Sequence, residues 1–338
     1  MQLVYNHRFL TLELLWHLLQ PDYRSRSIRY AVGTDGKSRP KRYGFGQQAL
    51  SKRLRQLFHA GYLERHYPTD QPMGRGHGAP RAIYGVGLKC APILAERVGV
   101  PAYEIRRIVE RNRVKSPFLR HAIEVTRFRV TLELACQRSA DEVRLLFWEQ
   151  GEVLRDYVEF TDRWDQKQTL PVYPDAFFGL ELPSGQRKHY FLEIDRGTEP
   201  ISAQGQRTDV RRKLIAYRLY RKSGRFPRRY SYRRLPDGTV VGLNIDNGRN
   251  SVATGDDSGL NGFQVLLVTP GIIRSKTHVS GRIANIISQL SDMGRFYVTT
   301  SLFLFTTPEA YSVIRPESLF DRCWLTPRAN SELTSLIE

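Results

Sequence analysis

Three carboxylates carry the chemistry that this sequence suggests. Pro174-Asp175 closes a stretch predicted as a strand over 172–178, and Glu193-Ile194-Asp195 ends a second predicted strand over 189–195. Residues i and i+2 of a strand share a face, so Glu193 and Asp195 are expected to project together. The turn Leu182-Pro183-Ser184-Gly185 makes the two strands a hairpin, which brings Asp175 beside them. Converging carboxylates repel one another unless a cation sits among them. Oxygen-only ligation of this kind suits Mg²⁺ or Mn²⁺. Such a metal activates water and stabilises charge on a phosphoryl group under attack. The other reading is an ion network in which Arg196, Arg211 or Arg212 neutralises the same acids.

The elements around this constellation follow from periodicity. Leu119, Ile123, Thr126, Val130 and Leu134 share one face of a helix running to about Arg138, and 143–149 alternates as a strand. After the two strands above come a helix over 204–223, a strand over 263–268, a helix over 280–290 and a strand within 296–304. The order αβββαβαβ implies a mixed sheet covered by helices, an α+β or α/β arrangement. Residues 224–261 are turn-rich towards their end and are expected as an excursion.

A different pattern precedes it. Phe9–Leu19 is apolar enough for a buried helix. In 47–60, Leu50, Leu54, Leu57 and Phe58 form one helical stripe, with Gly61 at the stop. Strands are predicted over 62–67 and 81–86, around a Gly-rich loop holding Arg75. Helix, turn, helix, strand, loop and strand describe a winged helix-turn-helix. Its DNA contacts are expected from Gln47, Gln48, Ser51, Lys52 and Arg55 on the second helix and from Arg75 in the loop. The module also occurs as a protein-interaction unit. An unusually long basic stretch, 21–45, separates the two helices as either an extra DNA contact or a loop. The expected domains are 1–98, a basic linker 99–117, and 118–330.

Charge supports a polyanionic partner. The 338 residues carry 52 Lys+Arg against 34 Asp+Glu, a formal +18. Residues 1–100 contribute +10 and residues 207–234 contribute +11, whereas 141–200 is −6. Arg outnumbers Lys by 42 to 10, which suits bidentate phosphate contact, although a GC-rich genome gives the same bias. Backbone contacts are expected from Arg211, Arg212, Arg218, Arg221, Arg228 and Arg229. Phe226, Tyr230 and Tyr232 are interleaved with arginines as candidates for stacking on unpaired bases. No apolar run is long enough for a membrane span, the first residues do not form a secretory signal, and the three dispersed cysteines suit a reducing cytoplasm. Double-stranded, partly unpaired DNA in a bacterial cytoplasm, at the nucleoid or a plasmid, is the expected setting.

The Asp-to-Glu-x-Asp spacing within this order resembles the PD-(D/E)xK nuclease superfamily, whose fold is that of restriction endonucleases. That resemblance implies a lysine two residues after Glu193, where Asp195 stands. It makes Lys213, on the following helix, the candidate replacement, and Glu124 on the first helix an additional candidate metal ligand. More of the chain resembles the replication-relaxation family of plasmid and mobile-element proteins. The residues carrying this are Gln48-Ala49-Leu50, Gly61 to Arg65, Leu119-Arg120-His121, Pro174-Asp175-Ala176, Phe191 to Glu199, Lys213-Leu214 and Tyr217. The resemblance spans roughly residues 8–325. It implies a DNA endonuclease or nickase using Mg²⁺ or Mn²⁺ at Asp175, Glu193, Asp195 and Lys213, in plasmid replication or mobilisation. The alternative is a regulator with a degenerate nuclease domain. A homodimer or other mobile-element proteins are the expected partners.

Overall fold

The computed structural model describes residues 1–338 except 20–28, 33–37, 42–46, 69–80, 113–115, 140–141, 162–164, 203–208, 247–259, 276–277, 293–300 and 328–331. The chain is mixed α+β and forms two compact units, Met1–Val130 and Thr131–Glu338.

The first unit opens with helix α1 (Gln2–Asn6), the short strand β1 (Leu10–Thr11) and helix α2 (Leu12–Leu18). The predicted helix over 9–19 is therefore split. The Thr11 side chain caps α2 by accepting from the Leu14 amide at 3.2 Å, which leaves Leu10 and Thr11 extended. The basic insertion contains an antiparallel pair, β2 (Arg29–Val32) and β3 (Ser38–Lys41). Helix α3 (Gln47–His59) buries Leu50 and Leu54 as its stripe predicts, and Gly61 (φ 79°) turns the chain out of it. Strands β4 (Leu63–His66) and β5 (Ile83–Val86) pair antiparallel, and β1 adds to β5 as a third strand. The predicted loop with Arg75 lies outside the described residues.

Helices α4 (Ala91–Val98) and α5 (Ala102–Arg111) follow. The expected linker over 99–117 is thus largely helical. Ile105 and Val109, four residues apart, are wholly buried, and the arginines around them had obscured that stripe. Helix α6 (Ser116–Arg138) contains the boundary between the two units.

In the second unit, strand β6 (Arg144–Glu149) precedes the hairpin β7 (Asp156–Thr161) and β8 (Lys167–Val172). Strands β9 (Ala176–Glu181) and β10 (Arg187–Ile194) come next. Helices α7 (Val210–Lys222) and α8 (Arg225–Arg229) lead to a second hairpin, β11 (Tyr230–Arg234) and β12 (Val240–Ile245). Strand β13 (Gln264–Val268), the pair β14 (Ile272–Ser275) and β15 (His278–Ser280), helix α9 (Arg282–Asp292) and strand β16 (Phe303–Thr306) complete it. The main sheet runs β16-β13-β10-β9-β6. Strands β10, β13 and β16 are mutually parallel, while β9 pairs antiparallel with both β10 and β6 and runs opposite to the other four, giving the mixed sheet the sequence implies.

Two predictions fail here for physical reasons. The strand expected over 172–178 is the end of β8 and the start of β9, so Asp175 opens a strand instead of closing one. The aromatics of the excursion are core residues. Phe226, Tyr230 and Tyr232 are 2%, 1% and 6% exposed. They pack with Phe177, Phe191 and Phe263 beneath α7, where burial of such large rings outweighs the pull of their charged neighbours towards water.

A buried histidine ties this cluster to β10. His189 Nδ1 faces the Gly262 carbonyl at 3.1 Å, and its Nε2 faces the Tyr232 hydroxyl at 2.5 Å. A carbonyl only accepts, so Nδ1 donates and the neutral ring accepts from Tyr232. Burial lowers its pKa from the ordinary 6.5 to about 4. Between those values the unfolded chain takes a proton that the folded ring refuses. Stability is therefore expected to fall by about 3 kcal/mol as pH drops from 6.5 to 4. Urea unfolding across this range should show the loss, and a His189→Gln variant should flatten it. Among the described residues no helix is long and apolar enough to cross a membrane.

Candidate functional site

The register of β9 on β10 assembles the site. Ala176 stands opposite Leu192, which puts Asp175 alongside the end of β10. The Asp175 amide donates to the Leu192 carbonyl at 2.9 Å, and its Oδ2 accepts from the Ile194 amide at 2.7 Å. Asp175 is thus fixed from both backbone and side chain. Glu193 shares with buried Phe191 the face that α7 covers.

Helix α7 presents Lys213 and Tyr217, one turn apart, to that carboxylate. Lys213 Nζ is 3.5 Å from Glu193 Oε2, and the Tyr217 hydroxyl donates to Oε1. Asp209 sets the start of α7 by capping the Arg212 amide at 2.7 Å. Lys213 also reaches Glu199 Oε2 at 2.8 Å. Glu199 lies in the sequence run Glu193 to Glu199 but was given no role from sequence. The site therefore gathers Asp175, Glu193, Lys213, Tyr217 and Glu199.

Its electrostatics are unusual for a carboxylate. Glu193 is only 4% exposed, and burial pushes its pKa up to about 7. The Lys213 charge opposes that rise, and the Asp175 charge adds to it. The Glu193 charge in turn holds the Lys213 ammonium well above its usual value, against its own burial. Burial and the Glu193 charge raise the Tyr217 phenol, which remains a proton donor.

Asp195 does something else. Its Oδ2 accepts from Thr269 Oγ1 at 2.7 Å and from Arg282 Nε at 2.5 Å. Its Oδ1 accepts from the Gly197 amide at 2.9 Å and from Arg282 Nη2 at 3.0 Å. A carboxylate offers about four lone-pair sites, and protein donors use all of them. Asp195, expected as the third carboxylate of a metal set, is engaged here in an ion pair. Its partner is Arg282, at the start of α9. Arg282 also donates to the Glu199 carbonyl at 2.5 Å, which staples the turn carrying Glu199. Among the described residues no cluster of three His, Cys, Asp or Glu is arranged to hold a metal. Glu124 lies on α6 in the first unit, with Arg127 at 3.6 Å.

Asp175 and Glu193 still suit a divalent cation. Mg²⁺ is commonly bound through one or two carboxylates while keeping several waters. The Asp175 charge raises the cost of ionising Glu193, which a cation relieves. Asp175 and Glu193 are accordingly the two residues here that could hold a divalent cation.

The expected DNA contacts divide. On α3, Gln47, Gln48, Lys52 and Arg55 are exposed and Ser51 is half-buried. On α7, Arg211 is exposed, and Arg212 and Arg218 are half-buried. Arg221 and Arg228 are exposed but already donate, to the carbonyls of Phe263 and of Ser223 and Gly224. Arg229 is corrected to a structural role. Its side chain is 11% exposed, it donates to the Val153 and Arg155 carbonyls, and it lies 3.6 Å from buried Asp156.

The family model described as replication-relaxation matches residues 1–233, a span that includes Asp175, Glu193 and Lys213 and ends before Arg282. No curated protein and no solved structure matches the chain. On a match over more than half its length, the chain belongs to the replication-relaxation family.

Proposed function

We propose that this chain is a DNA-binding protein of a plasmid or mobile element that nicks or cleaves DNA with Mg²⁺ or Mn²⁺, in replication or mobilisation. The observation that carries the reading is the Asp175, Glu193 and Lys213 constellation where β9, β10 and α7 meet. Asp175 and Glu193 would hold the metal. When bound, it supplies an activated water and neutralises charge on the phosphoryl group. Lys213 places a fixed positive charge where a scissile phosphate would lie, and Tyr217 and Glu199 orient Glu193 and Lys213. The mixed sheet covered by α7 supports a restriction-endonuclease-like fold. The order α2, α3, β4, β5, with β1 closing the sheet, supports a winged helix that selects the site. Arg211 and Arg218 on α7 are the proposed backbone contacts of the second unit.

One observation favours a second reading, a non-catalytic replication or transcription regulator. Both Glu193 oxygens already have partners in Tyr217 and Lys213, and Asp195 is held by Arg282. The deciding experiment incubates the cognate supercoiled plasmid with pure protein and Mg²⁺ or Mn²⁺. Metal-dependent appearance of the open-circular form supports the nickase; its absence leaves the regulator.

Duplex recognition is tested separately. Replacing Lys52 and Arg55 together by alanine is expected to weaken duplex binding and to reduce the slope of log K against log salt by about 2, at ~0.9 per phosphate contact. Unchanged binding in a salt titration would remove α3 from the interface.

A further inference from the structure

The aromatics that the sequence offered for base stacking are buried, and the exposed ones lie elsewhere. Among the described residues of the second unit, Tyr157 and Tyr173 are the exposed aromatics, at 47% and 43%. Both belong to the β7–β8 hairpin, where Tyr157 pairs with Pro171 and Asp156 with Val172. Arg155 and Tyr173 directly flank this last pair, one residue outside each strand. Asp156, Val158 and Val172 face inward and are buried, while Arg155, Tyr157, Pro171 and Tyr173 face out and are exposed. Buried Asp156 locks this orientation. It accepts from the Tyr220 hydroxyl and from Arg225 Nη2, each at 2.8 Å, so a one-residue slip would expose a paired charge. Arg225, held there, lies 4.8 Å from the Tyr157 ring centroid.

We propose that the outward face of the β7–β8 hairpin is a platform for unpaired DNA, with bases stacking on Tyr157 and Tyr173 and Arg155 and Arg225 meeting the phosphates. Every base has a π-face, so exposed tyrosines beside arginines suit single strands irrespective of sequence. Diagonal neighbours across an antiparallel pair stand ~7–8 Å apart, about twice the ~3.4 Å rise per nucleotide of a stacked strand. That spacing admits one base between the two rings. Tyr173 precedes Asp175 by two residues, roughly 7 Å of extended chain, so the platform delivers a strand towards the carboxylates. Glu152, the acid nearest this end, accepts from the Tyr173 hydroxyl at 3.1 Å and lies 3.8 Å from Arg155. Glu159 shares the outward face two residues beyond Tyr157, on the side away from Asp175.

The platform deepens the proposed DNA reading and rests on it, so its test measures binding without cleavage. Full-length protein is titrated into a fluorescent thymidine oligonucleotide of about 12 nucleotides in chelator, and into a duplex of equal length. Tyr157→Ala and Tyr173→Ala are each expected to weaken single-strand binding about tenfold, with duplex affinity within about twofold of wild type. Tyr157→Phe and Tyr173→Phe, which keep the ring, are expected to bind like wild type. Wild-type single-strand affinity in both alanine variants would overturn the platform, as would equal losses on single strand and duplex. Dissociation of a dimer by the alanine variants in sedimentation would also overturn it, assigning the face to a second copy of the chain. None of these outcomes depends on whether the carboxylate site cleaves, and failure to nick leaves the binding result intact.

Discussion

Glu193→Gln protein is expected to leave supercoiled plasmid uncut under conditions where the wild type nicks it, a loss of about 10²–10³-fold or more. The variant keeps the shape of the side chain and an oxygen for the Tyr217 hydroxyl, so the fold should survive. It loses the charge that pairs with Lys213 and that completes the two-carboxylate set. Stability should move the other way. Wild-type Glu193 has a pKa of about 7 in the folded protein against 4.5 ordinarily. As pH rises between those values the unfolded chain releases a proton that the folded chain keeps, so folding loses up to about 3 kcal/mol. Glutamine does not titrate. Glu193→Gln should therefore be more stable than wild type at pH above about 7 and lose that advantage near 4.5. Loss of Lys213's partner reduces the gain, though Glu199 still holds the amine at 2.8 Å. Urea unfolding at the two pH extremes, beside the plasmid assay, reads both effects. A side chain that costs stability yet is required for cleavage is the trade expected of a functional residue. A variant that is more stable, with a wild type that never nicks, supports the regulator.

The parts of this site that sequence could reveal are those written in local periodicity. The run Tyr190 to Leu192 is buried on both faces of β10, so it shows as apolar chain leading into Glu193. The α3 stripe is legible for the same reason, whereas Lys213, which only the family resemblance singles out, stands 3.5 Å from Glu193. What sequence hid was pairing at a distance. Arg282 stands 87 residues from Asp195, and nothing in the intervening chain marks it as the partner. The β7 strand was missed because its burial is inverted, with Asp156 inside and Tyr157 outside. Buried Asp156 is tolerable only because Arg225 and Tyr220, far along the chain, satisfy it. The buried aromatics of 226–232 did leave a signal. Tyr230 and Tyr232 alternate with Ser231 and Arg233 at a strand period, but the density of arginine drew attention to charge.

Arg282→Ala is expected to destabilise the second unit by about 3–5 kcal/mol. Asp195 is 8% exposed, and Arg282 supplies two of the four hydrogen bonds its oxygens accept. Removing the guanidinium leaves a buried anion with Thr269 and Gly197 alone, and water cannot replace the lost charge cheaply. The substitution also releases the Glu199 carbonyl, so the carboxylate that steadies Lys213 loses its anchor. Asp195→Asn in the Arg282→Ala background should recover part of the loss, because the uncompensated charge is then gone, and the cycle of single and double variants isolates the pair. The measurement is a shift in urea midpoint at unchanged slope. The same variants separate the two roles that sequence offered for Asp195. As an ion-pair partner, it should be replaceable by asparagine without changing stabilisation by added Mn²⁺, whereas Asp175→Asn should abolish that stabilisation. If Arg282→Ala costs nothing while Asp195→Asn removes the Mn²⁺ effect, Asp195 returns to the metal set and the two-carboxylate site is wrong.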